Sequence, residues 1–280
     1  MKKLILVILT GLILYGCGEK SGEQKTEGQK DQFTFDTTDI KAAPVENPNQ
    51  QFYLRYKLEK GRSYAFRLTA ISKDDQKITS KDTTLSQGID QTMIYNMKFT
   101  PSEIDADSTM QIQAVITSIK IDGTFGTEPV HYQSGVTKDS AEINKYAQYE
   151  SLVQNPFDIR VSKLGEVLDV FRTDKIVNKL LQIRGYADSL KAEEKAQLKN
   201  DITEGVLKPM ISQVFRKLPL GKMAKDSTWN VEQPPTQLMV FQAQNTSVFK
   251  ITGMENLGGD LIADIGAGLK TKITGKNKVT

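Results

Sequence analysis

Residues 157–171, Phe-Asp-Ile-Arg-Val-Ser-Lys-Leu-Gly-Glu-Val-Leu-Asp-Val-Phe, carry the clearest structural signal in this chain. Two apolar segments, 157–161 and 166–171, flank the tetrapeptide Ser162-Lys163-Leu164-Gly165. Apolar residues at every second position are typical of a strand with one buried face, and serine and glycine are typical of tight turns. The stretch therefore predicts an antiparallel β-hairpin.

The β pattern extends to both sides of this hairpin. Before it, we expect ordered structure to begin near Phe52, with strands at residues 53–58, 63–71, 92–100 and 110–121. The first two of these strands predict a hairpin around Gly61. After it, strands are predicted at residues 237–242, 248–254 and 261–273, the last interrupted by Gly266 and Gly268.

Helical periodicity is confined to the middle of the chain. Thr173-Asp174 has the composition of a helix N-cap, and apolar residues follow at three- and four-residue spacing as far as Leu198, with a break at Gly185. A second helix is predicted from residue 203 or 204 to residue 217. Its internal Pro209 should either kink this helix or mark its first turn.

These patterns predict an α+β protein with curved antiparallel β-sheets and a helical block between them. The predicted segments are a signal peptide (1–16), a polar tether (17–51), a first β module (52–172), a helical block (173–221) and a second β segment (222–280). The two long hairpins, at 94–114 and 248–265, resemble each other, so they are either copies of one module or two unrelated hairpins. If they are copies, the second module is short of strands at its end, so we expect either that the chain is a fragment or that the second sheet is smaller than the first.

The amino terminus has the pattern of a lipoprotein signal. Lys2 and Lys3 precede twelve apolar or neutral residues, 4–15, a run too short for a spanning helix. Leu14, Tyr15, Gly16 and Cys17 match the bacterial lipobox, in which the cysteine is acylated, with chains such as palmitate, and becomes the first mature residue. Gly18 after the cysteine is compatible with outer-membrane sorting, so we expect a lipid-anchored envelope protein, facing the periplasm or the surface if the cell is Gram-negative.

Removal of the signal peptide changes the net charge, and acylation of Cys17 removes the free thiol. The formal net charge falls from +3 to +1 because Lys2 and Lys3 are lost, and no basic run remains that would suggest nucleic acid as a partner. Cys17 is the only cysteine, so its acylation leaves no thiol for a disulfide. Residues 18–31 contain no large apolar side chain and should form a flexible tether.

Four features resemble an uncharacterised family of bacterial lipoproteins, domain of unknown function 6263, found largely in Bacteroidota-type organisms. They are the lipobox with its tether, the Tyr-x-Leu-x-Tyr and Gly-x-x-Tyr opening at residues 53–64, the hairpin that follows Asn155-Pro156, and residues 225–229. The last segment is Lys-Asp-Ser-Thr-Trp, where the family pattern has Gly-Asp-x-Trp. The resemblance covers most of the chain from Phe52 and implies an envelope location and a β-rich body. It brings no known activity and no catalytic residue.

The residues themselves argue against most enzyme classes. A catalytic triad or Cys-His pair would need His131, the only histidine, which is expected in an irregular loop rich in glycine and proline. With one histidine and an acylated cysteine, no zinc site is expected. Asp105, Asp107 and Thr109 have calcium-loop spacing but lack the glycine and glutamate that such a loop needs, so we interpret them as a hairpin turn. No phosphate loop, cofactor or metal is predicted.

Trp229, the only tryptophan, is the one residue for which ligand binding is considered. We interpret it as a core residue at a module boundary, and its functional alternative is to close an apolar pocket beside the helices. The leading hypothesis is a noncatalytic envelope lipoprotein, anchored by Cys17, that binds an apolar ligand or an envelope protein. The alternatives are a hydrolase using two facing carboxylates and a purely structural envelope protein.

Overall fold

The structure of the chain is a computed structural model, which describes residues 42–274 except 46, 48, 80–83, 137, 188, 239–240 and 258–259. Its strands are β1 (Ala43–Pro44), β2 (Phe52–Tyr53), β3 (Tyr64–Thr79), β4 (Thr84–Ile104), β5 (Met110–Phe125), β6 (Glu128–Gln133), β7 (Phe157–Val161), β8 (Val167–Phe171), β9 (Lys222–Met223), β10 (Thr228–Glu232), β11 (Thr236–Leu238), β12 (Phe241–Leu257) and β13 (Asp260–Thr274). Its helices are α1 (Ser140–Lys145), α2 (Ala147–Leu152), α3 (Asp174–Arg184), α4 (Ala192–Ile202) and α5 (Lys208–Val214). The paired strands of the sheets are antiparallel, which confirms the predicted α+β class.

The first sheet has six strands in the order β3-β4-β5-β7-β8, with β6 paired to the far half of β5. Strand β5 is paired along both edges, with β4 on one side and with β6 and β7 on the other. The hairpin predicted around residues 162–165 is present as β7 and β8. Bulges between Asn96 and Met97 and between Pro101 and Glu103 interrupt the β4–β5 register, and bulges of this kind bend the strands that contain them.

The second sheet is built on the long hairpin of β12 and β13. Strand β13 pairs along one edge of β12, and β11, β10 and β1 pair in turn along the other edge. The prediction that ordered structure begins near Phe52 is therefore wrong, because Ala43 and Pro44 already pair with Asn256 and Glu255. The predicted interruption of the last strand is also wrong, since β13 keeps its register with β12 through Gly266 and Gly268.

The main core lies between the first sheet and the helices. The sheet contributes buried side chains such as Phe99, Ile112 and Ile159, and the helical block contributes Ile176, Ile211 and others. A smaller core lies on one face of the second sheet and consists of Leu218, Trp229, Phe249, Ile251 and Met254. Tyr56 packs against both cores, so it lies where the two halves of the molecule meet.

The second helix differs from its prediction in how it begins. Helix α4 continues without a break into a π-helical turn, Thr203–Leu207, and then into α5. Pro209 lies in the first turn of α5, directly after the π turn, and it has no backbone N–H to continue the α-helical ladder. The proline therefore changes the helical hydrogen bonding at this point without separating two helices.

Residues 53–58 do not form the predicted strand or pair with residues 63–71. Only Phe52–Tyr53 is a strand, and it pairs with Lys222–Met223, whereas β3 pairs with β4. The Tyr56 backbone N–H donates to the Lys163 carbonyl oxygen at 2.9 Å, and the Tyr56 hydroxyl accepts from the Arg216 N–H at 2.9 Å. This segment contacts both cores, and its hydrogen-bond partners are distant in sequence. Alternation of apolar and polar residues cannot predict such partners.

Candidate functional site

The residues predicted to carry the lipid anchor, Leu14, Tyr15, Gly16 and Cys17, lie outside the described residues. Among the described residues, no helix is both long and apolar enough to cross a membrane. Within the described part of the chain, the candidate sites are the surroundings of Trp229 and of His131, the aspartate and glutamate side chains, and the surface of the second sheet.

Trp229 is a buried residue of the smaller core. Its ring stacks on Phe249 with ring centroids 5.1 Å apart, and its Nε1–H donates to the Lys217 carbonyl oxygen at 3.0 Å. Both the apolar face and the polar group of this tryptophan are thus engaged within the protein. Trp229 joins the end of the helical block to the second sheet.

The three segments behind the family resemblance meet around this point. We call Tyr56, Leu164, Gly165, Leu218 and Trp229 the junction. The Leu218 N–H donates to the Leu164 carbonyl oxygen at 2.7 Å, and the turn at Gly165 packs directly under the Tyr56 ring. Tyr56, Leu164 and Trp229, one residue from each of these segments, therefore contact the residues that follow α5.

His131 lies in strand β6, so its placement in an irregular loop is wrong. It is directly opposite Asp122 of β5, and its Nδ1 is 3.1 Å from Asp122 Oδ1, while Lys120 Nζ is 3.1 Å from Asp122 Oδ2. Partial burial acts to raise the pKa of Asp122, but the hydrogen bonds from His131 and Lys120 hold it below its usual range. The His131 side chain is 70% exposed, so Lys120, Asp122 and His131 form a cluster of polar side chains on the protein surface.

The Asp105–Thr109 segment forms a hairpin turn, in keeping with its interpretation. The Asp105 N–H donates to the Thr109 carbonyl oxygen, and Asp107 accepts hydrogen bonds from the Thr109 N–H at 2.9 Å and the Thr109 hydroxyl at 3.0 Å. These two hydrogen bonds hold the pKa of Asp107 below its usual range. Within the described ranges, no group of three or more His, Cys, Asp or Glu side chains could hold a metal ion.

Two buried polar groups could in principle serve catalysis. The Asp158 carboxylate accepts from Arg172 at 2.6 Å and from Gln111 at 3.4 Å, so it forms an ion pair and a charge-assisted hydrogen bond. The Tyr132 hydroxyl donates to Glu150 at 2.9 Å within a cluster of tyrosine rings. Burial and the neighbouring Glu150 carboxylate raise the pKa of Tyr132, so its phenol stays protonated and acts as a structural donor.

Sequence reasoning missed an exposed apolar row on strand β13. Ile265, Ala267 and Leu269 lie directly opposite Ile251, Phe249 and Ser247 of β12, and directly opposite residues share a face of the sheet. The row thus continues the smaller core outward, yet Ile265 is 41% exposed and Ile273, at its end, is 63% exposed. We call this row, Leu261, Ile265, Ala267, Leu269 and Ile273, the open sheet face.

The opposite face of β13 is mixed, with exposed Ile262 and two glycines beside Asp264, Lys270 and Lys272. A shallow depression of about 350 Å³ on the hairpin is lined by Val248, Lys250 and residues 266–270, which include Ala267 and Leu269 of the open sheet face. Lys250 forms an ion pair with Asp226 at 2.7 Å. The sequence predicted the strands of this hairpin from their alternation, and alternation cannot show whether an apolar face is covered.

Comparison with known proteins agrees with the resemblance seen in the sequence. Searches among curated proteins and among solved structures gave no match. The family of unknown function DUF6263 matches residues 107–279, which include the β7–β8 hairpin, the helical block from α3 to α5 and strands β10 to β13 of the second sheet. The opening at residues 53–64 lies before the matched region. Because the match spans more than half of the chain, this protein belongs to the DUF6263 family of unknown function.

Proposed function

We propose that this protein is a lipid-anchored lipoprotein of the bacterial cell envelope that acts without catalysis, by holding a partner or an apolar ligand on the open sheet face. The observation that carries the binding role is the exposed apolar row of β13, which continues the smaller core. The anchoring role rests on the lipobox that ends in Cys17.

The physical case for binding rests on the free energy of covering this row. Full burial of an isoleucine or leucine side chain contributes about 1.5–3 kcal/mol, and a partly exposed one contributes about half as much. Leu261, Ile265 and Ile273 all keep a large exposed fraction on one strand. A complementary apolar surface laid against them would therefore gain several such contributions at once.

The physical case for anchoring rests on the acyl chains. Each buried methylene contributes about 0.8 kcal/mol, and one chain alone gives only marginal membrane binding. A lipoprotein cysteine carries two or three chains, so attachment through Cys17 would be nearly permanent. The polar residues 18–31 would then separate the folded body from the lipid surface.

The anchor is tested by replacing its cysteine. In the full-length chain expressed in a bacterial host, Cys17→Ser should block lipidation and signal-peptide cleavage, leaving an unacylated precursor. Metabolic labelling with radioactive palmitate should mark the wild type and not the variant, and mass spectrometry should find the mature wild-type chain beginning at acylated Cys17. Equal labelling of both, or cleavage of the variant at the same site, contradicts the anchoring role.

The binding role is tested on the open sheet face. Native mass spectrometry of the full-length chain in mild detergent should find a non-covalently bound species that is lost in Ile265→Lys, because a buried lysine charge is costly. The matched control is Ile71→Lys, an isoleucine that is 56% exposed and lies on β3 of the first sheet. A bare monomer in the wild type, or equal binding in both variants, contradicts the proposal, provided that circular dichroism shows both variants folded.

A further inference from the structure

Among the described residues, strand β13 is paired along one of its two edges and unpaired along the other. Along its fifteen residues it pairs with β12, and in the part of the chain that the structure describes no other strand pairs with it. Strand β5, the second strand of the other long hairpin, has both edges paired. An unpaired edge presents backbone N–H and C=O groups that can bond to a further strand.

The open edge carries few of the features that prevent strands from joining. Proteins protect such edges with proline, with charged side chains such as lysine, with a charge on the apolar face, or with a bulge. Residues 260–274 contain no proline, and the row of the open sheet face contains no charged residue, because Lys270 and Lys272 lie on the other face of β13. Among the described residues of the hairpin, the bulge lies between Ile251 and Gly253, on β12.

We propose that β13 pairs antiparallel with β13 of a second copy of this chain, around a two-fold axis at Ala267. This inference deepens the proposed binding role, because the second copy would join at the edge of the open sheet face and place its own apolar row beside that of β13. Ala267 is the midpoint of Asp260–Thr274, so this register lets all fifteen residues of each strand pair. The two second sheets would then form one continuous sheet across the axis.

Several of the cross-strand pairs are complementary in this register, whereas Ile262 lies opposite Lys272 of the second copy. On the apolar face, Ile265 lies opposite Leu269 of the second copy, and Leu261 lies opposite its Ile273. On the polar face, Asp264 lies opposite Lys270 of the second copy, and the two-fold axis repeats this ion pair. Gly266 and Gly268 flank the axis, so no side chain crowds the polar face where the strands cross it. Cross-strand apolar and opposite-charge pairs of this kind stabilise a sheet.

The register is tested by a cysteine on the axis. In a full-length Cys17→Ser background, Ala267→Cys should form a disulfide-linked dimer under mild oxidation, because directly opposite antiparallel residues have Cα atoms about 4.5–5.5 Å apart. The matched control is Leu269→Cys, whose two copies would be about 14 Å apart along the strands and should not cross-link. Equal cross-linking of both variants, or of neither, overturns the register.

The charge pair is tested by reversal. Lys270→Asp places two acidic residues opposite each other at both symmetry-related positions, and should weaken dimerisation of the detergent-solubilised full-length chain about tenfold or more in analytical ultracentrifugation. The double variant Asp264→Lys with Lys270→Asp should restore the dimer. Lys98→Asp, an exposed lysine of β4, should leave it unchanged. A dimer that is insensitive to Lys270→Asp, or that the double variant fails to restore, overturns the proposed pairing.

Other results of these experiments distinguish dimerisation through β13 from the proposed binding role. A monomer that carries a lipid or another protein, lost in Ile265→Lys, supports the binding role and overturns the second copy as its occupant. A monomer whose β13 amides all exchange slowly with solvent shows that another segment of the same chain covers the edge, and overturns the inference. A bare monomer with rapidly exchanging edge amides overturns both.

Discussion

Gly165→Ala is expected to lower the free energy of unfolding by about 2–5 kcal/mol, because Gly165 combines backbone strain with a close approach. Its φ of +81° is in the left-handed region, and a Cβ atom there would overlap the Arg216 carbonyl oxygen and the Tyr56 ring. Neither group can move freely, since the Tyr56 hydroxyl is bonded to the Arg216 N–H. Urea-induced unfolding followed by Trp229 fluorescence measures the loss.

Gly61→Ala separates the two causes. Gly61 also lies in the left-handed region, at φ +79°, but no atom lies within 4 Å of the position of its Cβ. This variant should lose only the conformational part, about 1–2 kcal/mol. If the two alanine variants lose the same amount, the close packing of the β7–β8 turn against Tyr56 and Arg216 does not stabilise the junction.

Phe215→Ala is expected to cost about 3–5 kcal/mol, the usual range for truncating a fully buried phenylalanine. The Phe215 ring lies at the end of α5 and is edge-on to Tyr56 and Phe99, with ring centroids 5.3 and 5.1 Å away, and it also contacts Phe66. Its removal leaves a cavity between β3, β4 and the residues that lead to the junction. We therefore expect a lower denaturation midpoint in urea.

The control for Phe215→Ala is Leu220→Ala, five residues later. Leu220 is 77% exposed, so its truncation should change the free energy of unfolding by less than about 0.5 kcal/mol. Similar losses in the two variants would show that the aromatic cluster does not carry the packing of α5 on the first sheet. A Phe215→Leu variant should lose less than Phe215→Ala, since it fills part of the cavity.

Local patterns in the sequence predicted most elements because each pattern arises from local geometry. Alternation placed β3, β5, β7 and β8, and apolar spacing with Gly185 at its end placed α3, whose C-cap glycine has a left-handed φ of +72°. The same reasoning identified Trp229 as a core residue at a boundary between segments, and it lies in the smaller core. A large apolar side chain in a strand is usually buried, and Trp229 follows this preference.

The errors share one physical cause, which is that hydrogen bonds to distant residues outweigh local preference. Residues 54–58 alternate like a strand, but the backbone of Tyr56 bonds to Lys163. Gly266 and Gly268 are poor strand residues, but the β12 ladder keeps them in register. The glycine- and proline-rich surroundings of His131 indicate a loop, but pairing with β5 makes a strand.

The sequence by itself determined the kinds of element and their order, since helix and strand periodicity follow from side-chain burial along a short stretch. It also supplies the motif around Cys17 on which the anchoring proposal rests. Only the tertiary structure decided which strands pair, that Tyr56 accepts a hydrogen bond from Arg216 at the junction, and that the apolar row of β13 is exposed. Pairing and exposure depend on contacts between residues far apart in the chain, and a local pattern carries no information about them.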